Sequence, residues 1–134
     1  MPHHAAVLAR RWFEEVWNDR REEAVDELMA PDAVGHMEGG DVAGPNGFRE
    51  VRAVFLEALP DMHITVEDVI AEGSQAVVRW RVRGTHAGEL LGIAPTHAQV
   101  DFRGMSWITV RDGKLHEGWD AWNLGGLLES LRSA

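Results

Sequence analysis

The 134-residue sequence lacks cysteine and tyrosine, and no apolar run approaches the ~20 residues of a membrane span. Without cysteine, disulfide bonds and thiolate metal sites are excluded, so an ordinary apolar core must hold the fold. Basic residues are outnumbered, with 13 Lys and Arg against 22 Asp and Glu and a formal net charge of −9. This charge disfavours a phosphate backbone, so we expect no nucleic-acid partner. These absences indicate one cytoplasmic globular domain over residues 1–134, with no membrane partner.

Aromatic residues without a hydroxyl group, in contrast, are abundant, since the chain has six tryptophans and four phenylalanines. None of these rings carries a hydroxyl group, so they suit an apolar core or the wall of a cavity for an apolar ligand. Trp17, Phe55 and Trp80 are therefore expected either in the core or on a cavity wall.

Three helices are predicted in the first half of the chain. Apolar residues at four-residue spacing predict a helix over His3–Trp17, and a second helix is predicted over Arg20–Met29. Gly44 and Pro45 open a third helix, which ends at Pro60 because proline cannot continue it.

The second half of the chain changes to a period of two, which is typical of strands. The alternation is clearest where Val78, Trp80 and Val82 are separated by arginines. We predict an antiparallel meander followed by a helix: Ile64–Glu72, a strand around Val78–Val82, Gln99–Val110, Lys114–Trp122 and the helix Leu124–Leu131. The five glycines of Gly35–Gly47 predict a loop. Helices followed by a meander indicate an α+β fold, with helices packed on one face of a curved sheet.

Several segments resemble the SnoaL-like polyketide cyclases, also called ester cyclases. Gly84–Thr96 is similar to the signature loop of that family, and Asp112–Leu115, Trp119-Asp120 and Leu124–Leu128 follow in the family's order and spacing. The resemblance implies the cone-shaped α+β fold of the nuclear-transport-factor-2-like superfamily, a cystatin-like arrangement in which helices cover a curved antiparallel sheet. It also implies a cavity between sheet and helices, a small hydrophobic substrate, and a homodimer formed through the outer sheet face.

The resemblance further implies that Asp120 is the general acid/base, because a strand aspartate has this role in the characterised cyclases. The residues give an independent reason to examine it, since Asp120 lies between Trp119 and Trp122 within a predicted strand. Burial among apolar groups disfavours the charged carboxylate and raises its pKa, so that it exchanges protons near neutrality. The alternative is an outward-facing Asp120 that is paired with an arginine.

The turn before the last strand decides which face of the sheet Asp120 occupies, and two registers fit. If Asp112-Gly113 is a two-residue loop, Arg111 pairs with Lys114 and Asp120 lies opposite Met105. Its neighbours on that face are then Asp101, Arg103 and Trp107. Asp101, Arg103 and Asp120 would resemble the Asp-Arg-Asp set of limonene-type epoxide hydrolases, in which water is activated while an acid protonates the oxirane.

If Arg111-Asp112-Gly113 is instead a three-residue turn with a bulge, Val110 pairs with Lys114 and Asp120 lies opposite Gly104. Its neighbours are then mainly apolar: Phe102, Ser106, Ile108, His116 and Trp122. We prefer this register because the glycine leaves room for a ligand beside the carboxylate. A lone carboxylate there could remove a proton α to a carbonyl and return one to the new alkoxide, which is the cofactor-free aldol ring closure that the resemblance implies.

Two positions depart from the family pattern. Ser106 stands where the compared cyclase has a histidine that supports the aspartate, and Gly35 stands where it has a substrate-binding asparagine. A serine can donate a hydrogen bond but cannot carry a proton at pH 7. These departures keep open a third hypothesis, a non-catalytic dimeric module that binds a small ligand.

The seven histidines show no spacing typical of zinc sites, so we expect no metal and no other cofactor. His86 is expected at the cavity mouth or as the cap of a turn, and His36 is expected to line the cavity from the helix side. With Asp120 as the catalytic residue, the predicted substrate-binding residues are Phe102, Gly104, Ser106, Trp122, His116, Trp17, His36, Phe55, Trp80 and His86.

Overall fold

The computed structural model describes residues 4–134. Its helical elements are α1 His4–Arg11, a π-helical segment Trp12–Asn18, α2 Glu22–Leu28, α3 Gly44–Ala58 and α4 Leu124–Arg132. Its strands are β1 Met29–Met37, β2 Gly40–Ala43, β3 His63–Glu72, β4 Gln75–Thr85, β5 Gln99–Arg111 and β6 Lys114–Trp122. His3, the predicted start of the first helix, lies outside the described residues. Within residues 4–134, no helix has the combination of length and hydropathy that a membrane crossing requires.

The first predicted helix changes to wider π-helical turns at Trp12, where two bulky aromatic residues follow one another in the sequence. Both Trp12 and Phe13 are buried there. The segment ends at Asn18, whose side-chain amide bonds both the N–H and the C=O of Ile64 in β3 at 2.8 Å. This double contact fixes the end of the helical segment to the sheet.

The sheet has six strands in the order β2-β1-β6-β5-β4-β3. The predicted antiparallel meander from β3 to β6 is confirmed. The sheet as a whole is mixed, however, because β1 runs parallel to β6 while β2 pairs antiparallel with β1 as an edge strand. Parallel pairing is possible here because the chain between β1 and β6 is long enough to return to the end of the sheet at which β1 begins.

The loop predicted over Gly35–Gly47 is wrong. This stretch contains the end of β1, a turn at Glu38-Gly39, all of β2 and the start of α3. Its glycines and polar residues have low strand propensity, but hydrogen bonds to neighbours on both sides of β1 override that preference. Only Gly40, with φ of +124°, uses the conformational freedom of glycine in the turn.

The core lies between the helices and the inner face of the open, curved sheet, as expected of an α+β fold. The largest contribution from the sheet is the even-numbered face of β4, where Val78, Trp80 and Val82 are buried. Leu8 and Val16 pack on it from the N-terminal helices, and α4 adds Leu127 and Leu131. The packing is incomplete near β6, where a cavity remains.

Candidate functional site

The hairpin between β5 and β6 differs from both predicted registers. Its turn is the two-residue loop Asp112-Gly113, with φ of 53° and 75° as a tight hairpin turn requires, and Arg111 pairs with Lys114. A bulge then follows, in which His116 is the extra residue of β6, because Val110 pairs with Leu115 whereas Thr109 pairs with Glu117. Beyond the bulge Asp120 lies opposite Ser106, so the predicted partners Met105 and Gly104 are both wrong.

The bulge determines the face on which Asp120 lies. It shifts the pairing by one residue, and this turns Asp120 to the same side as Phe102, Ser106 and Trp122. This is the apolar face that the three-residue turn predicted for Asp120, although the observed turn has two residues. The physical reason is that either bulge adds one unpaired residue. A bulge within the strand and a bulge within the turn therefore place the following side chains on the same face.

A cavity of about 320 Å³ lies between this face and the helices. Four tryptophans and four phenylalanines line it: Trp12, Phe13, Trp17, Phe48 and Phe55 from the helical side, and Trp80, Phe102 and Trp122 from the sheet. Phe102 and Trp122 stack with ring centroids 4.6 Å apart, and Phe55 meets the Trp122 ring edge-on at 6.1 Å. Such walls suit a flat apolar ligand.

A directed chain of hydrogen bonds holds the Asp120 carboxyl group. Trp80 Nε1 donates to Ser106 Oγ at 2.9 Å, and Ser106 Oγ donates to Asp120 Oδ1 at 2.5 Å. The indole N–H of Trp80 occupies one lone pair of Ser106 Oγ, which leaves the serine hydrogen to donate to Oδ1 of the carboxylate. Within residues 4–134, no group bonds Oδ2, which remains accessible.

The surroundings of Asp120 favour its protonated form. Burial raises the pKa of the Asp120 carboxyl group, the hydrogen bond from Ser106 lowers it, and the nearby Glu38 carboxylate raises it again. The net direction is upward. A carboxyl group with a raised pKa holds its proton more strongly than an exposed aspartate, which is a property of acid/base groups in active sites.

Seven of the predicted site residues line the cavity together: Asp120, Phe102, Ser106, Trp122, Trp17, Phe55 and Trp80. Four others do not: Gly104, His36, His86 and His116. Gly104 accommodates protein rather than ligand, because a Cβ there would lie 2.5 Å from two ring atoms of Trp80. The room expected beside the carboxylate is therefore filled by the Trp80 indole.

The three histidines have contacts outside the cavity. His36 lies on the outer side of β1, where its ring stacks on Trp119 at a centroid distance of 3.7 Å. Its Nε2 lies 2.7 Å from Glu117 and its Nδ1 2.8 Å from Asp41, and these bonds raise the pKa of the His36 imidazole. His116 is displaced by the bulge and lies 3.7 Å from Asp32.

His86 is fully buried within the loop that follows β4. Its Nδ1 accepts from the Thr96 N–H at 3.2 Å and lies 2.9 Å from Thr96 Oγ1. The His86 backbone also bonds Ala98 and His97, so this residue fixes the two ends of the loop to each other. Of the two predicted positions, the cavity mouth is wrong, and the turn-capping position is the one observed.

The Asp-Arg-Asp arrangement is not assembled. Asp101 is on the outer face of β5, where it accepts from Arg81 Nε at 2.7 Å, and this ion pair lowers the Asp101 pKa to about 2. Arg103 is also on that face, with Nε 3.6 Å from Glu67. Because side chains alternate along a strand, neither group shares the face of Asp120, and the epoxide hydrolase-like hypothesis is wrong in its geometry.

Sequence reasoning missed two acidic residues of the cavity lining, Glu38 in the turn between β1 and β2 and Asp41 in β2. Glu38 is exposed yet lines the cavity, and its Oε1 accepts a hydrogen bond from the Trp122 backbone N–H at 3.0 Å. Gly35, the position that corresponds to an asparagine in the compared cyclase, also lines the cavity. The only signal for Glu38 was its place before a Gly-Gly pair, which reads as an ordinary turn.

Comparison with known proteins supports the fold described above. A proposed SnoaL-like polyketide cyclase from Jannaschia sp. CCS1 superposes with a TM-score of 0.90 at 25% identity, over 98% of this chain and 93% of that one. IdmH, a proposed polyketide cyclase from Streptomyces antibioticus, has a TM-score of 0.84 at 29% identity, over 97% of this chain and 99% of IdmH. AclR, a proposed hydroxylase from Streptomyces galilaeus, has a TM-score of 0.84 at 27% identity, over 97% of this chain and 82% of AclR.

No curated protein matches the sequence. The family model for the SnoaL-like polyketide cyclases, in contrast, matches residues 7–131, which is nearly the whole chain. The matched range contains the cavity-lining strands, the signature loop and Asp120. The chain therefore belongs to the SnoaL-like polyketide cyclase family.

Proposed function

We propose that this chain is a cofactor-free acid/base enzyme that closes a ring in a small hydrophobic carbonyl compound, with Asp120 as its catalytic residue. The observation that carries the proposal is the accessible Oδ2 of a carboxyl group whose Oδ1 is held by Ser106, within an aromatic cavity. Membership of a family of polyketide cyclases that bind small hydrophobic substrates agrees with it.

The proposed reaction is an intramolecular aldol addition. Asp120 Oδ2, as the carboxylate, removes a proton from the carbon α to one carbonyl, and the electron pair of the C–H bond forms an enolate. The enolate carbon bonds to a second carbonyl carbon of the same substrate, and its oxygen becomes an alkoxide. The alkoxide takes the proton back from Asp120, so that the enzyme returns to its initial state and no atoms are lost.

The cavity contributes by holding the two reacting ends of one flexible substrate together, which replaces an entropically costly encounter. The raised pKa brings the Asp120 carboxyl group closer to the pH of the reaction. This favours both the removal of a proton before ring closure and its return afterwards. Ser106 keeps its hydrogen bond to Oδ1 throughout, and since a serine hydroxyl cannot carry the proton at pH 7, the proton stays on Oδ2 between the two steps.

The test compares Asp120→Asn with Asp101→Asn, a matched change on the outer face of the sheet. The substrate is an aryl-substituted 1,5-diketone, and NMR in D₂O follows exchange of its α-protons, which needs only the first step. We expect Asp120→Asn to lose at least about 100-fold of the exchange rate while it still binds the diketone, and Asp101→Asn to keep the rate. Undiminished exchange by Asp120→Asn would exclude this aspartate as the base.

The remaining hypothesis, a non-catalytic ligand-binding module, predicts a different outcome of the same experiment. It is favoured by Ser106, which replaces a proton-carrying histidine. Under that hypothesis the wild-type protein binds the diketone, which tryptophan fluorescence reports, but exchanges none of its protons. The epoxide hydrolase-like hypothesis has no support, because Arg103 lies outside the cavity.

We also propose that the chain forms a homodimer through the outer face of the sheet. The support is a patch of exposed apolar side chains on neighbouring strands: Ile70, Met105, Trp107 and Trp119. Trp107 lies directly opposite Trp119 on β6, so the two rings form the centre of the patch. The cytoplasmic location expected from the composition stays a prediction.

A further inference from the structure

The ionisable side chains that line the cavity all have the same sign. They are Glu38, Asp41 and Asp120, and within residues 4–134 the lining includes no lysine, arginine or histidine. The other polar groups there are the Ser106 hydroxyl, indole N–H groups and backbone atoms of glycines. A ligand that enters therefore meets carboxylates and aromatic faces but no cation to neutralise a negative charge.

Two arginines on the helical side, the half-buried Arg20 and the buried Arg52, do not change that balance. Arg20 donates to the backbone carbonyls of Trp17, Asn18, Pro60 and Met62, behind the cavity wall. Arg52 donates to the Val16 carbonyl at 3.0 Å and pairs with Glu22 at 2.8 Å. Both guanidinium groups thus bond groups on the helical side, and neither lines the cavity.

Glu38 is placed to act on any ligand that enters. It belongs to the exposed part of the lining, together with Asp41, Val54 and Leu91, and these four residues define the mouth of the cavity. Its hydrogen bond to the Trp122 N–H holds the carboxylate against the end of β6, two residues from Asp120. A charge that is fixed beside low-dielectric aromatic walls acts more strongly on a ligand than one in open water.

We propose that the cavity selects uncharged ligands and rejects organic anions, and that Glu38 is the specificity-determining residue at its mouth. An anionic ligand would lose its hydration, gain no cationic partner, and be repelled by a fixed carboxylate. An uncharged ligand of the same shape would keep the stacking on Trp122 and Phe102 without that repulsion. The proposal rests on the proposed function, since it concerns the ligands of the same cavity.

The experiment uses two probes that share one ring system, 9-anthracenemethanol and 9-anthracenecarboxylate, at pH 7.5. Binding to the full-length protein is followed by energy transfer from tryptophan to anthracene. We expect the alcohol to bind about 10-fold more tightly than the carboxylate, because the carboxylate loses its hydration without gaining a cationic partner and is in addition repelled by Glu38. Equal binding, or tighter binding of the carboxylate, would overturn the proposal.

The variant Glu38→Gln isolates the charge, because the glutamine Oε1 can still accept from the Trp122 N–H. We expect this variant to bind 9-anthracenecarboxylate about threefold more tightly than the wild type and to bind the alcohol equally well. The preference for the alcohol then falls about threefold. The control is Glu72→Gln, which makes the same change in net charge at an exposed position outside the cavity and should leave the preference unchanged. An equal effect of both variants would mean that net charge, not Glu38, sets the preference.

The outcomes separate this inference from the proposed function. If neither anthracene binds, the charge selection is wrong, while the proton exchange of the diketone still decides the proposed function. If both bind equally while Asp120→Asn abolishes proton exchange, the acid/base function stands and only the charge selection is wrong. If the preference is found but Asp120→Asn exchanges protons normally, the selection stands without the proposed catalysis.

Discussion

Asp120 is held on one side only, and this asymmetry decides how the group can work. Ser106 receives the indole N–H of Trp80 and passes its own hydrogen to Oδ1. In the proposed reaction, the proton that Asp120 exchanges with the substrate is therefore on Oδ2. A histidine at position 106 could exchange that proton with its own ring nitrogen, whereas a serine can only orient the carboxyl group.

Ser106→Ala tests this positioning role. The Trp80 indole N–H would be left buried without an acceptor, and we expect a loss of about 1–3 kcal/mol in the free energy of unfolding. The Asp120 pKa would rise, because the hydrogen bond that lowers it is removed. Since the base form then appears only at higher pH, the midpoint of the acidic limb of the pH–rate profile should move upward.

Urea unfolding and the pH dependence of kcat/KM measure these two effects. Ser106→Thr is the matched control, because its hydroxyl can restore both hydrogen bonds and should return the midpoint to the wild-type value. A midpoint that is identical in Ser106→Ala and wild type would show that the serine does not tune Asp120.

At this scale the sequence predicted the cavity-lining side chains well where they lie on regular strands. Phe102, Ser106, Asp120 and Trp122 share a face because alternation is a geometric property of a strand. The histidine positions were predicted less well. His36, His86 and His116 depend on a hairpin, a loop and a bulge, and no periodic pattern reports the direction of a side chain in such places.

At the scale of elements, the close packing of β4 on β5 depends on a missing side chain. The Trp80 ring lies over Gly104, where a Cβ would come within 2.5 Å of the ring and 2.7 Å of Trp122 Cβ. Neither neighbour can move easily, because Trp80 is tied to Ser106 and Trp122 stacks on Phe102. The glycine thus allows the tryptophan to reach the serine that orients Asp120.

Gly104→Ala is expected to cost about 1–3 kcal/mol of unfolding free energy, because the added methyl group overpacks this contact. Gly118→Ala is the matched control on the neighbouring strand β6, since a Cβ there meets no atom closer than 3.9 Å. Urea unfolding of the two variants compares them directly. Equal destabilisation of both would mean that the cost comes from the glycine backbone and not from contact with Trp80.

The elements also show where sequence patterns are informative. The strands β3, β5 and β6 were predicted to within one residue at each end, because their alternation is bounded by clear turn residues. The pairing of β1 with β6 was not predicted because β6 lies far away in the sequence, and β2 was missed because the glycines around it favour a loop. The bulge at His116 left no local signature, although it decides on which face Asp120 lies.

For the whole molecule, the two faces of the sheet have opposite characters. The inner face carries the aromatic cavity, and the outer face combines ion pairs such as Arg81–Asp101 with the apolar patch around Trp107 and Trp119. Trp107 and Trp119 each keep about half of their surface exposed, at 51% and 52%. Such a large exposed aromatic patch is typical of an association surface.

Trp107→Glu tests the proposed dimer. A carboxylate in the centre of an apolar interface would be buried without a partner, so we expect the dissociation constant to rise at least about 30-fold. Sedimentation velocity over a range of concentrations measures this change. Val7→Glu, at an exposed apolar position of α1, is the control and should leave the dimer intact. A wild-type protein that stays monomeric at high concentration would contradict the proposal.

The fold could be predicted in outline because α1, α2 and α3 all precede the four-strand meander from β3 to β6, although β1 and β2 lie between α2 and α3. That arrangement restricts the answer to helices packed on one face of a largely antiparallel sheet. The mixed order of the strands could not be predicted, because the pairing of β1 with β6 leaves no trace in either segment alone. The strand that carries His36 meets the one that carries Glu117 across 81 positions of the chain.

This distant pairing has a consequence for synthesis on the ribosome. β1 is made well before its parallel partner β6, with 81 positions between His36 and Glu117, so one edge of β1 has no neighbour while the intervening chain is being added. The cavity around Asp120 can therefore form only after β6 has left the ribosome. Long-range closure of this kind slows folding, and it exposes an unpaired edge to other nascent chains in the meantime.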